Sequence, residues 1–87
     1  MNSYQTFELL ISNDDENSNL AQIIKRIEQI NYVSEVHLLE ELDTKNAKIE
    51  VITPLYETDF DKLINDITDS CEDISIGLVS EVVYEEM

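Results

Sequence analysis

The sequence predicts an α+β sandwich with elements in the order βαββαβ, and three observations carry that reading. Apolar residues alternate with period two in four stretches. They recur at helical spacing in two others, and polar turns or a proline separate the six. The order is strand, helix, strand, strand, helix, strand. With 87 residues the chain is read as one domain, 1–87, near the lower end of what buries an adequate core.

In the first strand, "YQTFELLI" (4–11), Phe7, Leu9 and Ile11 fall on one side. The polar turn "SNDDENSN" follows and offers several helix-capping residues, after which Leu20, Ile23, Ile24, Ile27 and Ile30 line one face of a helix. "VSEVHLLEEL" reads as a second strand with Val36, Leu38 and Leu42 on one side. "DTKN" is a turn into "AKIEVIT", a third strand with Ile49 and Val51 facing together, and Pro54 ends it. Thr58 and Asp61 have the spacing of a capping box. Beyond them Phe60, Leu63, Ile64, Ile67 and Cys71 mark one face of a second helix. The last strand starts near Ile74 in "ISIGLVSEVVYEEM", where Gly77 suggests a bulge.

The βαββαβ order resembles the ferredoxin-like superfold over the whole chain. Two right-handed crossovers would then place both helices on one face of a four-stranded antiparallel sheet of order 4-1-3-2. A superfold implies architecture and no activity.

If the apolar strand positions face the helices, pleating puts their neighbours on the open face. That face would hold Leu10, Leu39, Ile52, Val79 and Val83, interleaved with Glu8, Glu35, Glu41, Glu50, Glu81 and Glu85. The five apolar residues form a candidate dimer seam, rimmed by carboxylates. From Ile74 to Glu86 the last strand would reach roughly 40 Å, longer than its neighbours require. A homodimer through sheet faces or exchanged C-termini is the expected assembly.

Composition restricts function. Twenty acids against five Lys and Arg give a net charge of −15. That balance excludes direct binding to nucleic acid or to an anionic membrane surface, both of which need a basic footprint. Cys71 is the only cysteine, which excludes an internal disulfide and a cysteine-based metal site and suits a reducing cytoplasm. No apolar run approaches the roughly 18 residues of a membrane span. Disorder, the usual companion of such charge, is opposed by an apolar fraction of 43% with regular spacing.

Activities hosted by similar folds each lack a required residue. An RNA-recognition surface needs aromatic residues on the open face with basic surroundings, whereas here the expectation is aliphatic residues and acids. The first strand–helix loop has no Cys-x-x-Cys for a heavy metal, no arginine for acylphosphatase-like chemistry and no glycine of the kind that admits ligand in ACT-type domains. His37 has no Ser or Cys partner pattern and reads as a surface or interface histidine. Asp14, Asp15 and Glu16 lack the spacing and glycine of a calcium loop and read as a solvated turn. No catalytic residue, metal ligand or cofactor is therefore assigned.

The acids themselves are the strongest signal. In "ETDFDKLINDITDSCED" the residues Asp59, Asp66, Asp69 and Asp73 fall near one helical stripe. Asp59 and Asp66 would stand about 10 Å apart along a helix. A rigid array of carboxylates can occupy a basic groove built for nucleic acid, and its field speeds the encounter. In size, charge and composition the chain resembles, in type only, small acidic phage proteins that mimic DNA and block a host DNA-binding protein. The resemblance implies a non-enzymatic inhibitor of a nucleoid protein, repair enzyme, polymerase or defence nuclease. The partner-binding residues read from the acidic pattern are Glu41, Glu50, Asp59, Asp66, Asp69, Glu72, Asp73, Glu81, Glu85 and Glu86. The alternative is a small-ligand regulatory or assembly domain acting through a homodimer.

Overall fold

All six expected elements form. A computed structural model describes residues 3–71 and 73–85. Its elements are β1 (Tyr4–Asn13), α1 (Leu20–Glu28), β2 (Glu35–Glu41), β3 (Asn46–Pro54), α2 (Phe60–Ser70) and β4 (Ile74–Tyr84). The four strands make one antiparallel sheet in the order β2-β3-β1-β4, the expected 4-1-3-2 read from its other edge. The fold is the ferredoxin-like βαββαβ sandwich.

Local chemistry explains both helix starts. Asn19 accepts a hydrogen bond from the Gln22 backbone N–H at 2.9 Å, and the Gln22 side chain accepts from the Asn19 N–H at 3.0 Å. This reciprocal pair satisfies two donors that the first turn leaves open. Lys25 and Arg26 lie in the last turn of α1, where cations favour the helix dipole. The cap of α2 is Asp59 and not the expected Thr58: Asp59 accepts from the Lys62 N–H at 2.8 Å. The Thr58 hydroxyl is turned instead to the Asp59 carbonyl, to which it donates at 3.2 Å.

Helix spacing and strand alternation meet in one core. Phe7, Leu9 and Ile11 of β1 and Ala47, Ile49 and Val51 of β3 are wholly buried. Ile23, Ile27, Leu63 and Ile67 cover them from the helices, with Cys71 closing the end of α2. Burial pushes the Cys71 thiol up from its ordinary pKa, so the group behaves as a small core residue. α1 packs beside β2 and α2 beside β4. Among the described residues no helix is long and apolar enough to cross a membrane.

Two bulges change which side chains reach the open face. Along β2, Leu38 is opposite Ile49 and Glu40 opposite Lys48, so Leu39 is an inserted residue and Glu41 turns to the helix side opposite Ala47. Along β4, Leu78 is opposite Leu9 and Ser80 opposite Glu8, so Val79 is inserted and every later residue is inverted. One extra residue moves a whole arm of a strand to the other face. Glu81 and Val83 therefore lie on the helix side, opposite Phe7 and Gln5, while Val82 and Tyr84 take the open face. The bulge falls two residues beyond Gly77, where an added Cβ would meet nothing within 4 Å.

The helices cover only part of their side of the sheet. With nine and eleven residues they are about 14 and 17 Å long. The eleven residues of β4 extend about 36 Å. Glu81 and Val83, although on the helix side, are exposed because β4 is an edge strand, while their partners Phe7 and Gln5 on β1 are buried.

Candidate partner-binding surface

The acids read from the sequence fall into separate groups. On α2, Asp59 is committed to capping and Asp69 is exposed. Asp66 is tied into a small network: the Tyr32 hydroxyl donates to it, and Lys62 Nζ stands 3.0 Å from the same oxygen. The Lys62 ammonium also lies 4.6 Å from the centre of the Tyr32 ring, a cation–π contact. These bonds hold the Asp66 carboxyl below the usual range, the Tyr32 hydroxyl being the largest cause. Burial first, then the bond to Asp66, pushes Tyr32 up to about 12.

Asp73 does not continue the stripe. The helix ends at Ser70, its cap Cys71 is extended, and Asp73 follows with φ 53. The Asp73 carbonyl accepts a hydrogen bond from the Asp14 N–H at 2.8 Å, which ties the start of β4 to the end of β1. Glu72 and Glu86 lie outside the described residues. Of the acids in the turns, Asp15 and Asp43 are each drawn below the ordinary carboxylate range. Asp15 accepts from the Asn17 N–H and the Ser18 hydroxyl, and Asp43 from the Asn46 side chain and the Lys45 and Asn46 N–H groups.

The open face has an acidic middle and an apolar end. Cross-strand pairing sets His37, Glu50, Glu8 and Ser80 in one row across all four strands. Glu8 and Glu50 are directly opposite, an arrangement that disfavours folding and leaves negative charge at the centre of the sheet. The Ser80 hydroxyl donates to Glu8 at 3.1 Å, and the His37 ring lies 3.2 Å from Glu35. The next row holds Glu35, Ile52, Thr6 and Val82. Beyond it Tyr4 and Tyr84 stack with ring centres 4.8 Å apart and planes 19° from parallel.

The expected seam is thus rebuilt by the bulges. Leu10 and Ile52 are on the open face as expected. Leu39 and Val79 are the bulge residues, and Val83 lies on the helix side. Glu41 also leaves the open face and lines a hollow with Leu20, Ile24 and Leu38. Glu81 accepts from the Gln5 side chain on the helix side, and Glu85 is exposed just past β4. Tyr4, Val82 and Tyr84 are the open-face residues missing from the sequence reading. The doubled apolar pairs Leu38-Leu39 and Leu78-Val79, which interrupt strict alternation, coincide with the two bulges.

Few carboxylates are neutralised within the fold. Among the described residues the lysine–carboxylate ion pairs are Glu40 with Lys48 and Asp66 with Lys62. Also among the described residues, no three His, Cys, Asp or Glu side chains converge as a metal site.

No family model matches this chain, and no curated protein matches it. A solved structure described as "Crystal structure of PH0061" is similar at 23% identity with a TM-score of 0.49. The similarity covers 97% of this chain and 57% of that one.

Proposed function

We propose that this chain is a non-enzymatic acidic protein that binds and inhibits a nucleic-acid-binding protein, its carboxylates occupying a cationic groove in place of phosphates. One observation carries the reading: a net charge of −15 is held on a rigid sheet-and-helix frame with few internal cation partners. A surface of that kind creates a field that attracts and orients a basic partner. Asp61 and Asp69 on α2, with Glu8 and Glu50 on the sheet, are the groups least committed to helix capping or to a lysine. Asp59 and Asp66 serve the fold first, so the outward array is thinner along α2 than the sequence stripe implies.

The test is an affinity column of the full chain exposed to bacterial lysate and eluted with a salt ladder. Recovery of one nucleic-acid-binding protein that duplex DNA displaces supports the proposal. Its retention should fall when Asp61→Asn and Asp69→Asn are combined. Recovery of nothing, or of many basic proteins that all leave at low salt, overturns it and favours the regulatory or assembly reading.

A further inference from the structure

We infer that the free edge of β4 is a self-association edge, joining two copies of this chain into one continuous sheet. The inference concerns a different surface from the acidic array and stands whatever the cationic partner is. β4 is the outermost strand on its side, paired on one edge with β1. Among the described residues its other edge presents a row of backbone N–H and C=O groups without a strand partner. Leu78, Val79, Val82, Val83 and Tyr84 are 40% to 48% exposed along it.

Charge decides the kind of partner. Of the twenty acids in the chain, Glu81 alone falls within β4, and no base does. A strand meant for a basic peptide would carry acids along its rim. Two copies of charge −15 repel each other, and their contact has to fall where charge is least dense. β4 is that place.

Geometry permits the pairing over the full strand. Antiparallel self-pairing within one sheet places residues of the same face opposite each other. On β4 the helix side holds Ile74, Ile76, Leu78, Glu81 and Val83, and the open side holds Ser75, Gly77, Ser80, Val82 and Tyr84. The bulge makes the two arms complementary: Ile76 meets Val83 of the second copy, Gly77 meets Val82, and Ser75 meets Tyr84. Leu78 then meets Glu81, so Glu81 does not face its twin. In this register Val79 meets Ser80 of the second copy, and the two-fold axis falls between them, with a regular arm on either side.

Sedimentation velocity of the full chain over a range of concentrations, at about 50 mM and about 500 mM salt, tests this. The inference predicts a monomer–dimer equilibrium that tightens with salt, because screening removes repulsion between like-charged copies. Val79→Glu, at an exposed position beside the axis, should weaken dimerisation at least tenfold while leaving the thermal melting of dilute protein unchanged. Leu38→Glu on β2 should leave dimerisation unchanged. A monomer under all conditions overturns the inference. So does a dimer that Val79→Glu leaves intact or that Ile52→Glu on the open face abolishes, since the contact would then lie on the sheet face. Association only after a basic peptide is added, and weakening with salt, would assign the edge to a foreign strand.

Discussion

The two edges of the sheet solve the same problem differently. β2 is short, seven residues, and carries Glu35, His37, Glu40 and Glu41. β4 has eleven residues with Glu81 as its one charge. Both contain a bulge, at Leu39 and at Val79. Short length and dense charge protect an edge from unwanted pairing. β2 has both, whereas β4 has the bulge and a single acid. By these measures β4, with its bulge and Glu81 as its one charge, is the less protected of the two edges.

The largest expected effect comes from what the edges share. Phe7 lies in β1, which joins β4 directly and β2 through β3, and it is wholly buried. Phe7→Ala should cost about 3–5 kcal/mol from lost burial and the cavity left behind. In urea titration both halves should unfold in one transition, and two transitions would separate the edges into independent units.

Removing the caps sharpens the comparison, since α1 backs β2 and α2 backs β4. Asn19→Ala and Asp59→Ala should each cost about 1 kcal/mol. The two losses should be similar, because each side chain serves one backbone donor, Gln22 N–H and Lys62 N–H. Chemical denaturation of the two variants compares them directly.

Tyr32 links the segment after α1 to α2 through Asp66, and it sets a pH dependence. Its folded pKa of about 12 lies above the ordinary 10, so the unfolded chain loses that proton first as pH rises. The stabilisation is present in full below pH 10 and is lost between about 10 and 12. The urea midpoint should decline across that window, and Tyr32→Phe should flatten the decline.

The smallest effect belongs to the charges of the β2 edge. Glu40 stands 4.0 Å from Lys48 with both side chains well exposed. Glu40→Gln should shift stability by less than about 0.5 kcal/mol. A larger change in the melting curve would mean that these charges hold the edge in place and do not merely deter partners.

Much of this was legible in the residues. The alternation of Phe7, Leu9 and Ile11, and of Ile49 and Val51, belongs to central strands buried by helices, and the structure keeps it without interruption. The edge strands followed their pattern as far as Leu38 and Leu78 and then lost it. Gly77 and the doubled apolar pairs mark where a bulge can form, but the register beyond it is set by pairing with the neighbouring strand. Alternation alone therefore puts Val83, Glu41 and Glu81 on the open face, where the structure has Val82 and Tyr84 instead. The acidic stripe of α2 failed at Asp73 for a related reason: helix spacing was extended past Ser70, where the chain turns into β4. Thr58 and Asp59 are adjacent cap candidates, and in the structure Asp59 takes the role while the Thr58 hydroxyl bonds to the Asp59 carbonyl.

Amide hydrogen exchange of the full chain, followed by peptide mass at low and high protein concentration, measures the two edges in one experiment. If β4 pairs with a second copy, exchange within Ile74–Tyr84 slows as concentration rises, while exchange within Glu35–Glu41 stays the same. Equal behaviour of the two edges at every concentration would contradict it.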